Sequence, residues 1–109
     1  MTNVVLKDTR EIETVELPSF PGSEVKLYKG LLFGQMKELE KETSGFKRGI
    51  VSLRLMIKEW NFVDEKSDSL PITEDSFDIL PVKDLTILLN KIAQFFEVSE
   101  KKSKQVLKK

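Results

Sequence analysis

The one stretch of this chain whose residue types and spacing invite a chemical reading begins at Asp64. Taken as the first position of a calcium loop, it puts Asp68 at position 5 and Asp75 at position 12. Calcium needs a cage of oxygen ligands, a glycine at the sharp sixth position and a bidentate glutamate to close. Here Lys66 takes the third position, Ser69 replaces the glycine, and the closing residue is aspartate. A lysine ammonium pointing into a cation site repels the cation, so the loop is not read as a metal site. The chain has no cysteine and no histidine. That removes disulfides, thiolate and imidazole zinc sites, cysteine nucleophiles and every triad that needs an imidazole base. No glycine-rich phosphate loop, dinucleotide fingerprint or nucleophile elbow is present either. The chain therefore reads as non-enzymatic, with no cofactor and no metal.

Charge is the second feature that could act on a partner. The totals cancel at 18 basic and 18 acidic residues. The distribution is uneven: residues 59–84 carry eight acids against Lys66 and Lys83, a local −6, and residues 99–109 carry five lysines against Glu100, a local +4. A basic segment of this kind can touch phosphate or an acidic partner. The reading preferred for it is a solvated tail that suits the negative end of a helix dipole and keeps the end of a helix hydrated.

The elements that must position these residues follow from patterning. A chain of 109 residues makes one domain, and 39% hydrophobic with 33% charged residues is ordinary for a folded, water-soluble one. No run approaches the ~18 consecutive apolar residues of a membrane span. The opening residues lack a basic stretch followed by an apolar one, so the expected location is the cytoplasm of the cell that makes the protein. Residues 1–10 read as a flexible N-terminus, 11–98 as a single α+β domain and 99–109 as a lysine-rich tail.

Within the domain, Val15 and Leu17 alternate with charged residues, as do Val25 and Leu27, and Pro18-Ser-Phe-Pro21-Gly22-Ser23 between them is turn chemistry. This predicts a β-hairpin with one buried face. Gly30 ends the second strand, and Leu32, Met36 and Leu39 then fall at helical spacing within 31–42. Phe46, Ile50, Leu53, Ile57 and Trp60 are spaced by four, three, four and three, which predicts an amphipathic helix to Trp60 with Ser44 as its cap. Thr73 is placed to cap a short helix whose first turn holds Glu74 and Asp75, and Pro81 to open a last helix carrying Leu85, Leu88, Leu89, Ile92, Phe95 and Phe96. Strands segregated from helices give α+β: an N-terminal β-hairpin packed on a small bundle of three to four helices. The spacings Gly30-LLF-Gly34 and Gly45-FKR-Gly49 read as turn and boundary glycines. Seven phenylalanines and a tryptophan are generous for this length, and Phe20, Phe33 and Phe62 fall off the core stripes, where aromatics often anchor partners.

The run from Trp60 to Leu85, WNFVDEKSDSLPITEDSFDILPVKDL, resembles the C-terminal half of tail assembly chaperones of long-tailed, siphovirus-type bacteriophages. The shared order is a helix ending in Trp, an acidic turn, a Leu-Pro step, a Thr or Ser capping a short acidic helix, and a second Leu-Pro opening a final helix that begins with an acid and an apolar residue. With the hairpin included, the similarity covers most of residues 11–98. Asp68-Ser69 stands where many relatives carry a glycine, and both are good turn formers.

The resemblance implies a protein of the infected host's cytoplasm, absent from the finished virion. It would bind the aggregation-prone tape measure protein while tail tube subunits assemble around it. Such families commonly make a longer frameshifted product, and Lys101-Lys102 marks a candidate slippery site for one. A holding function needs apolar surface framed by charge, and Phe33, Met36, Trp60 and Phe62 are the candidate contacts. Neither nucleic acid nor membrane is an expected partner. Two rival readings are a nucleic-acid-associated regulator using the lysine tail and a structural tail or connector protein of the virion. Without the tail the body sums to −4, which disfavours the first.

Overall fold

The computed structural model describes residues 2–107, with side chains through Phe96. The two alternating segments form the hairpin: β1 (Ile12–Val15) pairs antiparallel with β2 (Val25–Tyr28), Val15 lying opposite Val25 and Ile12 opposite Tyr28. Alternation puts Leu17, Val25 and Leu27 in the core and leaves Thr14 outside. The turn closes through Phe20 N–H to Leu17 O and Ser23 N–H to Phe20 O, both 3.0 Å. Gly22 sits at φ +85°, which glycine adopts without steric cost. The buried Ser23 hydroxyl is satisfied by the Leu17 N–H at 2.8 Å.

Helix α1 (Phe33–Glu40) is narrower than its apolar pattern predicts, with Leu32 just outside it as N-cap. Leucine has no side-chain acceptor, and Gln35 substitutes by reaching back from the first turn to accept the Leu32 N–H at 3.1 Å. Helix α2 (Gly45–Met56) is capped by Ser44, whose hydroxyl accepts the Lys47 N–H at 3.5 Å.

The expected continuation of α2 to Trp60 is not observed: the helix ends at Met56, and Ile57–Trp60 is a third strand, β3, paired antiparallel with β2. The Ile57 N–H still closes the helix by donating to Leu53 O, so one residue ends the helix and begins the strand. The sheet order is β1-β2-β3. Without β3, the second edge of β2, which carries the buried Val25 and Leu27, would have no partner in this sheet. That tertiary demand overrides the helical pattern.

Helix α3 (Glu74–Asp78) follows the acidic loop and carries the two predicted first-turn acids. Thr73 occupies its N-cap position, but its side chain makes no capping hydrogen bond. Helix α4 (Val82–Leu107) begins one residue after Pro81, whose carbonyl accepts the Asp84 and Leu85 N–H groups at 3.1 Å. The lysine-rich segment 99–109 lies outside the described side chains, while its backbone continues α4 to Leu107.

The core joins Leu17, Val25 and Leu27 of the hairpin, Leu53, Met56 and Ile57 of the α2–β3 junction, Phe77 of α3, and Leu88 and Ile92 of α4. Burying each such side chain contributes ~1.5–3 kcal/mol. Gly49 faces α4 across this core: a Cβ there would stand 3.3 Å from Leu89 Cδ2, so it is a close-packing glycine rather than a boundary one. On the rim, Glu13 of β1 pairs with Lys91 of α4 at 2.8 Å. The fold is thus an α+β domain, a three-stranded antiparallel sheet covered on one face by helices.

Candidate functional site

Two of the four candidate contacts belong to an aromatic chain that fastens the acidic loop to the core. Trp60 stands at the end of β3 and Phe62 two residues on, so both point to the same side. Their rings meet edge to face, with centroids 5.3 Å apart. Phe20 of the hairpin turn meets Phe62 at 5.3 Å, and the buried Phe77 meets Trp60 at 5.9 Å, both also edge to face. This geometry sets the positive edge of one ring against the negative face of the next. The Trp60 indole N–H donates to Leu70 O at 2.9 Å. Trp60 and Phe62 are half-buried against the core, and Phe20 gains a packing role through Phe62.

Phe33 and Met36 lie elsewhere, on α1. They are 74% and 46% exposed, and Leu32 beside them is 43% exposed. Met36 follows Phe33 by three residues and Leu32 by four, the spacings at which helical side chains are neighbours. Leu39 is the buried residue of this helix, so its apolar residues divide between core and solvent. The Lys37 ammonium lies 5.5 Å from the centre of the Phe33 ring, and no ring–ring contact joins Phe33 to the chain of Trp60 among the described residues. The four candidates differ in burial and in the elements that carry them. They separate into an exposed pair on α1 and a structural pair at and after the end of β3.

A group that patterning misses holds α1 in place. The Arg10 guanidinium donates to Gly30 O at 3.0 Å and to Gln35 Oε1 at 2.9 Å, and it lies 3.6 Å over the Tyr28 ring. Asp8 grips it from the other side, its Oδ2 2.7 Å from Nη2 and its Oδ1 3.0 Å from Nε. Hydrogen bonds from the Arg10 side chain and backbone hold the Asp8 carboxyl well below its ordinary value, at about 2, and the same pair raises Arg10. Gln35 Nε2 completes the link by donating to Leu55 O. The bidentate fork of arginine is what lets one side chain reach a carboxylate, a carbonyl, an amide and a ring. Its only sequence signal is the Asp-x-Arg spacing, which is too common to single out.

The calcium-like loop uses its carboxylate internally. Asp64 Oδ1 accepts the N–H groups of Lys66 and Asp68 at 2.8 and 3.0 Å, and Ser67 takes a left-handed φ of 67° at the turn. Asp64 thus organises a turn. Among the described residues no group of three or more acidic, His or Cys side chains is arranged to hold a metal ion. Nor is any helix of the described residues long and apolar enough to cross a membrane.

Comparison of the chain with protein-family models, with curated proteins and with solved structures returned no match.

Proposed function

We propose that this chain is a tail assembly chaperone of a long-tailed bacteriophage, working in the cytoplasm of the infected host. It binds the tape measure protein and keeps it soluble while tail tube subunits assemble around it. The observation that carries the reading is the run from Trp60 to Leu85, with its ordered Trp, acidic turn, Leu-Pro, Thr-led acidic helix and second Leu-Pro, although Trp60 here ends a strand and not the helix of the family pattern. Each part of that run has a physical role in the fold. Trp60 anchors the loop, Asp64 shapes it, Thr73 opens α3, and Pro81 opens α4.

The surface that supports client binding is the exposed face of α1, Leu32, Phe33 and Met36, beside the charges of Lys37, Glu38, Glu40 and Lys41. Covering the exposed parts of three such side chains yields roughly 3–5 kcal/mol before the cost of association. Association itself costs about 4 kcal/mol or more, so this face of one copy supports weak binding at most. One copy therefore holds its client weakly and exchanges fast, and coverage of a long helical client takes many copies. Weak, repeated contacts suit a protein that arriving tube subunits must displace.

The test is co-expression with the tape measure protein of the same phage, together with mass spectrometry of purified particles. The reading expects more soluble client when the chain is present, and particles that lack the chain. A chain retained in particles as a stoichiometric component would show it to be a virion protein instead.

A further inference from the structure

The chain ahead of Arg10 is apolar and uncovered. Val4, Val5 and Leu6 are 90%, 79% and 97% exposed, and residues 2–6 carry no charge in a chain that is one-third charged. Three adjacent large apolar side chains left in water forgo the burial that stabilises the rest of the fold. We propose that residues 4–6 are a strap that closes over Leu32, Phe33 and Met36 of their own chain. The face of α1 that the client would use is then bare only while the strap stands open. With all three side chains exposed, the structure holds the open form.

Hydrogen bonds at the base of the strap place it beside this face. A single acceptor, Gln35 Oε1, takes the Arg10 Nη1 donor at 2.9 Å and the Leu32 N–H at 3.1 Å. Arg10 Nη1 also donates to Gly30 O at 3.0 Å, two residues before Leu32. Asp8 is fixed to the same guanidinium at 2.7 Å, so the strap springs from the start of α1. Beyond Asp8, the four residues 4–7 reach ~13 Å when extended, at ~3.3 Å each. Leu32 to Met36 is about one helical turn, or ~6 Å. The reach is sufficient without any change in the fold.

The tether also decides which segment covers the face. A contact between so few apolar side chains is too weak to hold separate molecules together at low concentration. A short tether keeps the strap at an effective concentration of roughly millimolar around its own α1, however dilute the chain. Lys37 stays at the edge of the face, its ammonium 5.5 Å from the centre of the Phe33 ring. Residues 4–6 bring no charge against it, and a lysine stem lies over apolar surface with its ammonium in water. Closure and client binding exclude one another, because both use the same three side chains. This masking rests on the chaperone reading, whereas the closure itself does not.

Nuclear magnetic resonance on the chain alone reads the closure. The methyl signals of Val4, Val5 and Leu6 should shift upfield in the ring current of Phe33, equally from tens of micromolar to millimolar concentration. Phe33→Ala should return them to the positions of an unfolded peptide. The triple variant Val4→Ser, Val5→Ser, Leu6→Ser, altered only at exposed positions, should move the Met36 methyl signal with unchanged circular dichroism. Methyl signals already at peptide positions in the unaltered chain overturn the strap, because the segment then stays open. A shift that grows with concentration overturns it too, because the occupant is then a second copy. In co-expression with the tape measure protein, the triple variant should yield at least twofold more soluble client than the unaltered chain. An equal yield of soluble client overturns the masking. Client left insoluble by both chains fails the chaperone reading, while the methyl shifts still decide the strap.

Discussion

The carboxylate of Asp84, on the first turn of α4, accepts the backbone N–H of Ser19 in the hairpin turn at 3.2 Å. Asp84 is fully buried, and its second oxygen has no hydrogen-bond partner among the described residues. An acid at the third helical position ordinarily reaches back to the N–H of the capping residue. Here that residue is Pro81, which has no N–H, so the carboxylate is free to face the hairpin. Sheet and last helix are thereby joined across 65 residues of chain.

Replacing Asp84 by alanine strands the Ser19 N–H and removes a negative charge from a helix N-terminus. The expected loss is about 1–3 kcal/mol. Asp84→Asn keeps an acceptor for Ser19 and should lose less than half as much. Urea denaturation of the two variants measures the difference. Equal losses would mean that the charge, not the hydrogen bond, is what matters.

The second prediction concerns Lys58. In an ordinary strand Ile57 and Trp60, three residues apart, point to opposite faces. Here Ile57 lies opposite Leu27, Glu59 opposite Lys26 and Trp60 opposite Val25, so Lys58 is an extra residue at a bulge. The bulge brings Ile57 and Trp60 to the same core-facing side. Deleting Lys58 should turn either Ile57 or Trp60 outward and cost more than about 2 kcal/mol. Substituting Lys58→Ala, an exposed position that leaves the bulge intact, should change stability by less than about 0.5 kcal/mol. Chemical denaturation of both variants checks the contrast.

That same bulge explains which parts of the fold are legible in the sequence. Hairpin, helices α1, α2 and α4, and most core residues follow from periodicity that tertiary structure respects. Ile57 and Trp60 satisfy a helical spacing and a bulged-strand spacing equally well, and only the open edge of β2 decides between them. Gly49 reads as a boundary until Leu89 of a distant helix is placed against it. At the candidate site, Phe33 and Met36 are exposed as a contact surface requires. Phe62 looks surplus in the sequence because Phe20, one of its two ring partners, comes from the distant hairpin turn. Arg10 escapes patterning for the same reason: its partners lie up to 25 residues away.

The third prediction is a titration. The hydrogen bonds from Arg10 keep the Asp8 carboxyl charged down to about 2, below its ordinary value. A depressed folded-state value means that the contribution is complete above the ordinary carboxylate range. It is then lost as pH falls through that range toward 2. Carboxyl carbon chemical shifts should place the Asp8 midpoint near 2, and Arg10→Gln should return it toward the ordinary value. A midpoint already ordinary in the unaltered chain would show that the Arg10 fork does not hold in solution.

The last prediction separates the two pairs that spacing alone puts together as contacts. Phe62 is packed between Phe20 and Trp60, so Phe62→Ala removes two edge-to-face contacts and part of the core cover. It should cost about 2 kcal/mol, less than the ~3–5 of a fully buried phenylalanine. Trp60→Phe keeps most of the ring volume but strands Leu70 O, and should cost about 1–2 kcal/mol. Phe33→Ala and Met36→Ala remove exposed groups and should shift stability by no more than about 0.5 kcal/mol. In co-expression with the tape measure protein the order should invert. The α1 variants, folded and stable, should lose soluble client, and Phe62→Ala should retain it at temperatures where it remains folded. If the α1 variants hold the client as well as the unaltered chain, the binding surface lies off α1. The exposed Phe46, at the start of α2, would then be the next position to substitute.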